Sequence, residues 1–136
     1  MKKPFLEQLD HIGIAVSNLT EVIETLRDAF NAEPAFQETL NDQKVHVAGY
    51  ILGQVAIEYL EPASEDSPIQ KFLQKRGNGI HHLAFRVKNL ETKLSQLQSK
   101  GYRLIDAYPR TGAEGKKIAF LHPGSFNGIL IELSEY

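Results

Sequence analysis

The chain contains no cysteine. Disulfide frameworks and zinc–thiolate sites are therefore excluded, and nothing points to an oxidising compartment. Long apolar runs are also missing: none approaches the ~18 residues that a membrane-spanning helix needs. Charge of one sign is not in large excess. Fifteen Lys and Arg against seventeen Asp and Glu leave a formal net charge of −2, which argues against a dedicated nucleic-acid binder. The start, Met1-Lys2-Lys3-Pro4-Phe5-Leu6-Glu7, has two lysines but lacks the apolar stretch of a signal peptide. The expectation from these absences is a cytoplasmic protein with no nucleic-acid and no membrane partner.

What is present is an ordinary globular composition, 42% hydrophobic and 24% charged over 136 residues. That is enough for one domain with a core that needs no staples. The organising feature is a repeat. Leu9-Asp10-His11-Ile12-Gly13-Ile14-Ala15-Val16 returns as Ile80-His81-His82-Leu83-Ala84-Phe85-Arg86-Val87, and each is followed by an Asn-Leu pair. His11 aligns with His82, an offset of 82 − 11 = 71 residues. Two copies of one module, rather than many, indicate a duplication.

Each copy reads as strand, helix, then three strands. Ser17 or Asn18 is placed to cap a helix carrying Leu19, Val22, Ile23, Leu26 and Phe30, which Asn31 and Pro34 end. Strands follow from Ala35 to Leu60. Pro68 opens a short helix to about Lys75. In the second copy Asn89 is placed to cap a helix that stops at Gly101. Tyr102–Ile105 reads as a short strand, residues 110–115 as a loop, and residues 118–121 and 129–133 as closing strands. The expected fold is α+β: two paired βαβββ modules forming an open, cup-shaped β-barrel with helices outside. A single domain spans 1–136, with modules at 7–62 and 79–136 joined by a loop and short helix at 63–78. Exposed edges and helix faces lead us to expect a homodimer.

Alternation puts His11 on the face of its strand away from Asp10, Ile12, Ile14 and Val16, the greasy face. Near the end of each copy an apolar strand carries one glutamate, Glu58 and then Glu132, separated from its histidine by 58 − 11 = 47 and 132 − 82 = 50 residues. Singly, each has a bland reading: a hydrogen-bonded core histidine, a solvated strand-end glutamate. Jointly they form a symmetric set of two imidazoles and two carboxylates. Carboxylates buried together are costly, and a divalent cation removes the cost. Imidazole and carboxylate ligands without thiolate suit cobalt, zinc, manganese, nickel or iron, and the set does not choose among them.

The other histidines have structural readings: His81 on a helix-packed face, His122 in a turn, His46 at a surface or cavity wall. Gly112-Ala113-Glu114-Gly115-Lys116-Lys117 lacks the spacing of a phosphate loop. Lys116 and Lys117 are nonetheless candidates to meet an anionic substrate.

The sequence resembles the vicinal oxygen chelate superfamily of glyoxalase I, ring-cleaving dioxygenases, antibiotic-resistance proteins and methylmalonyl-CoA epimerases, and most of all the epimerases. The matching stretches are Leu9–Val16, Glu58-Tyr59-Leu60-Glu61-Pro62, Glu65-Asp66-Ser67-Pro68-Ile69, Lys71-Phe72-Leu73, Gly79–Phe85, Gly115–Pro123 and Gly128–Leu133. They cover nearly the whole chain. The resemblance implies metal ligands at His11, Glu58, His82 and Glu132, an acyl-CoA substrate, and interconversion of the C2 epimers of methylmalonyl-CoA. It implies abstraction of a proton α to a thioester, with the metal as Lewis acid and a carboxylate as base. One departure stands out. Val47 occupies the middle-strand position at which some members have a glutamate proposed as a second acid/base. Glu132 is then the first candidate base, and the second is unassigned. Competing expectations are a glyoxalase I-like metal lyase or isomerase, and a non-catalytic protein that holds a small ligand.

Overall fold

A computed structural model describes residues 4–136; Met1, Lys2 and Lys3, which include both lysines of the basic start, lie outside the described residues. The class is α+β, with eight strands and three α-helices among the described residues. No helix is long and apolar enough to cross a membrane. The chain divides into two compact units, one of residues 11–81 and one of the residues up to Asp10 together with residues 82–136.

The unit of residues 11–81 holds most of β1 (Gln8–Ala15), α1 (Leu19–Phe30), β2 (Phe36–Leu40), β3 (Val45–Leu52), β4 (Val55–Pro62) and α2 (Pro68–Arg76). Its strand order is β2-β3-β4-β1. β1 runs parallel to β4, while β3 is antiparallel to both β2 and β4. Local chemistry sets the helix limits. The Asn18 side chain accepts the Glu21 N–H at 3.0 Å, and Asn31 closes α1 in the left-handed region at φ 53°. One face of the strands meets α1: Ile14, Val16, Ala48, Tyr50, Ile57 and Tyr59 pack on Leu19, Val22, Ile23 and Leu26. Phe30, expected on that stripe, is instead exposed at the last helical position. On the opposite face Ala15, Val45, Val47 and Leu60 pack under Ile69, Phe72 and Leu73 of α2. Ser67 is buried and caps α2, and Pro68 occupies its first turn. Gly49 allows a close approach: a Cβ there would lie 2.2 Å from the Phe36 ring.

The second unit repeats the plan with β5 (Gly79–Arg86), α3 (Leu90–Ser99), β6 (Arg110–Thr111), β7 (Lys117–Leu121) and β8 (Ile131–Glu135). The order is β5-β8-β7-β6, with β5 parallel to β8 as β1 is to β4. Val87, Leu90, Leu94, Ala119, Leu121 and Leu133 form its core, with Phe5 packed against it. The Glu7 N–H also donates to the Arg86 carbonyl at 2.9 Å.

Three expectations about the strands of this half need correction. Tyr102–Ile105 is not a strand but a single bridge, Leu104 to Leu121. Ile105 and Asp106 both donate to the Phe120 carbonyl, and the Asp106 side chain accepts the Phe120 N–H at 2.9 Å, which breaks the ladder. The strand expected there is instead Arg110–Thr111, read from sequence as loop. The closing strand begins at Ile131 rather than Ile129, because Asn127 and Gly128 turn with positive φ and the Ile129 N–H goes back to Phe126.

Candidate metal centre

Eight polar or charged residues are buried among the described residues: Asp10, His11, Glu58, Ser67, His82, Lys116, Glu132 and Ser134. Ser67 is accounted for by its cap on α2. The other seven fall into three groups, each built on a buried carboxylate.

The first group belongs to residues 11–81. Parallel pairing of β1 with β4 sets Gly13 opposite Glu58 and His11 opposite Ala56. His11 and Glu58 thus sit diagonally on the face away from α1, with the small Gly13 between them in the ladder. His11 Nδ1 lies 3.5 Å from Glu58 Oε2, and both side chains are buried. Val47 shares this face, where it is buried with Leu60 and Ile69. The aliphatic side chain at that position serves packing and carries no proton.

The second group belongs to residues 82–136. Ala84 of β5, Glu132 of β8 and Phe120 of β7 form one cross-strand row. Alternation along β5 puts His82 on the same face, away from the α3 core. His82 Nε2 lies 3.3 Å from Glu132 Oε1, again with both buried. The Phe120 ring meets the imidazole edge-on at 5.4 Å between centroids. The Ser134 hydroxyl donates to Glu132 Oε2 at 2.7 Å.

The third group is Asp10. Arg86 Nη2 donates to its Oδ1 at 2.9 Å and Lys116 Nζ to its Oδ2 at 3.1 Å. The bond to Asp10 raises the Arg86 guanidinium above its usual value. The face expected to be greasy therefore carries a charged cluster. It also places the two candidate anion-binding lysines differently: the Lys116 ammonium is buried on Asp10, whereas Lys117 is exposed at the start of β7.

The three carboxylates differ in what faces them. Two cations meet Asp10; an imidazole meets Glu58 and another meets Glu132. A neutral imidazole N–H gives a buried carboxylate a hydrogen bond but no counter-charge, and neutral imidazole with carboxylate is the donor set of a borderline divalent metal. Each His–Glu pair therefore fits a metal by its chemistry, and the Asp10 cluster does not. The remaining histidines take structural places. His81 packs edge-on against Phe72 of α2 at 5.1 Å, His122 Nδ1 accepts the Gly124 N–H at 2.9 Å, and His46 Nδ1 lies 2.8 Å from the Thr39 hydroxyl.

Sequence reasoning passed over Ser134 and Arg86. A signal existed for both. Ser134 is two residues from Glu132 on one strand, hence on its face, and Asp10 on an otherwise apolar strand requires a cation such as Arg86.

Comparison with known proteins gives a consistent picture. The family described as the glyoxalase/bleomycin resistance protein/dioxygenase superfamily matches residues 10–120. A Bacillus subtilis protein, named uncharacterized protein YqjC, is 43% identical over 96% of this chain and 93% of its own length. The mitochondrial methylmalonyl-CoA epimerase of Dictyostelium discoideum is 37% identical over 94% of this chain and 78% of its own. Among solved structures, methylmalonyl-CoA epimerase from Mycobacterium tuberculosis superposes with a TM-score of 0.92 at 36% identity, covering 99% of this chain and 91% of that one.

Proposed function

Since this chain belongs to the glyoxalase/bleomycin resistance protein/dioxygenase superfamily, we propose that it is a methylmalonyl-CoA epimerase. It interconverts the (R) and (S) forms of methylmalonyl-CoA by removing and returning the proton α to the thioester. The observation that carries this reading is the buried His–Glu pair present in each half, His11 with Glu58 and His82 with Glu132, on a chain similar to named epimerases over nearly its whole length.

The four residues together are proposed to hold one divalent cation. Such an ion supplies Lewis-acid stabilisation of the charge that develops on the thioester oxygen. The protein's own part begins with exclusion of water: the ligand side chains are buried, so charge developing near them interacts in a low effective dielectric. Phe120 fixes the plane of the His82 ring. Glu132 is the proposed proton acceptor on one face of the α-carbon, within its role as ligand. Val47 takes no part in proton transfer. Lys117, exposed, is the lysine available to an anionic substrate group, and Lys116 serves Asp10. The reading includes a cytoplasmic location and a homodimer.

The test is exchange of the α-proton of methylmalonyl-CoA for deuterium in heavy water, with metal present. Wild-type protein is expected to catalyse exchange, and His82→Ala and Glu132→Gln to reduce it by at least 100-fold. Exchange by wild-type protein no faster than the uncatalysed reaction overturns the proposal. Turnover of a hemithioacetal in its place assigns the glyoxalase I-like reaction instead.

A further inference from the structure

The two halves differ two residues past each site glutamate. In the first half that residue is Leu60, which packs with Ala15, Val47 and Ile69. In the second it is Ser134, which is fully buried. Ser134 lies in the ladder between Arg86 of β5 and Ile118 of β7, two rows beyond Glu132. Strand alternation puts its side chain on the same face as the carboxylate. A carboxylate can only accept, so the hydroxyl proton is directed at Glu132 Oε2, at 2.7 Å. The other oxygen, Oε1, is the one turned to His82 Nε2, at 3.3 Å.

We propose that Ser134 is a positioning residue that makes Glu132 a one-oxygen ligand. By holding Oε2, it leaves Oε1 to the metal. Chelation through both oxygens would take Oε2 from a hydroxyl buried without access to bulk water, which is unfavourable. Glu58, followed by Leu60, receives no such hydroxyl from its own strand. The two glutamates are thereby distinguished: Glu132 is held to a fixed rotamer and a single ligating oxygen by its own strand. Groups that orient a ligand in this way commonly affect metal affinity 10- to 100-fold when removed. The inference rests on the metal site proposed above.

The experiment is a cobalt(II) titration of metal-free protein, read by affinity against a competing chelator and by the visible d–d absorption of the bound ion. Ser134→Ala is expected to bind about 10-fold or more weakly and to give a changed d–d band, because Oε2 is released to the ion. The isosteric pair Ser134→Thr and Ser134→Val repeats the comparison at constant volume. Thr, which keeps the hydroxyl, is expected to retain the wild-type band, and Val to lose it. Wild-type affinity and band in both Ala and Val variants overturn the inference, as does weaker binding with an unchanged band. Absence of cobalt binding by wild-type protein overturns the metal site itself, and this inference with it.

Discussion

The Glu135 carboxylate accepts the backbone N–H groups of both Asn89 and Leu90, at 2.7 and 3.2 Å. It therefore caps α3 from a strand 45 residues away in sequence. The first half does the same with Glu61, whose Oε2 accepts the Leu19 N–H at 3.0 Å. Each capping glutamate follows its site glutamate by three residues, 61 − 58 and 135 − 132. The strand that delivers the site carboxylate also anchors the helix of its half. Odd spacing sends the two side chains to opposite faces.

This sets the first prediction. Glu135→Ala removes a charged acceptor from a helix N-terminus and is expected to cost about 1 kcal/mol. Glu135→Gln keeps an acceptor without the charge and should cost roughly half of that. Urea denaturation measures both; a loss under about 0.3 kcal/mol for the alanine variant contradicts the assignment.

The two adjacent lysines are expected to behave very differently. Lys116→Met leaves Asp10 buried with one cation fewer and should destabilise the fold by about 3 kcal/mol. Lys117→Ala, at an exposed position, should stay within about 0.5 kcal/mol of wild type. The double variant Lys116→Met with Asp10→Asn should recover part of the loss, because the carboxylate charge is removed with its partner. Thermal or denaturant unfolding checks all three, and equal effects of the two lysine substitutions would contradict the buried pair.

The third prediction concerns acid. Asp66 receives a hydrogen bond from Lys44 and another, at 2.6 Å, from the Ser64 hydroxyl. Led by the Lys44 bond, these hold its carboxyl down at about 2, against about 3.9 in an unfolded chain. A depressed folded-state value stabilises the native state above the unfolded value, and that contribution is lost as pH falls through about 2. Carboxyl NMR titration should find Asp66 near 2, and Lys44→Ala should raise it toward the ordinary carboxylate range, with the Ser64 bond still lowering it. An unchanged titration in that variant would refute the pairing.

Much of this could be read in advance where local chemistry decides. Of the two candidate caps, Ser17 and Asn18, the structure uses Asn18; Asn31 ends α1 as expected, and Ser67-Pro68 opens α2. Repeat spacing and strand parity assign His11, Glu58, His82 and Glu132 to matching strand faces, whereas the pairing of β1 with β4 and of β5 with β8 decides which imidazole meets which carboxylate. What escaped depends on partners remote in sequence. Asn89 looked like a side-chain cap, but it sits in the left-handed region and Glu135 takes that role. Arg110–Thr111 is too short for periodicity to reveal; its pairing with Ile118 and Lys117 defines it. Lys116 was a candidate to meet an anionic substrate because its counter-charge, Asp10, is 106 residues away.

The described residues up to Asp10 belong to the same compact unit as residues 82–136. Cleavage in the Gly77-Asn78-Gly79 link would therefore not release two self-sufficient modules. The C-terminal fragment would lose the Phe5 side chain from its core, the Glu7 bond to its first strand, and the acid that neutralises Lys116. Although each copy has a complete set of strands and a helix, the second is finished by a piece of chain borrowed from before the first. Expressed separately, it should fold only when a peptide spanning that leading segment is supplied in trans.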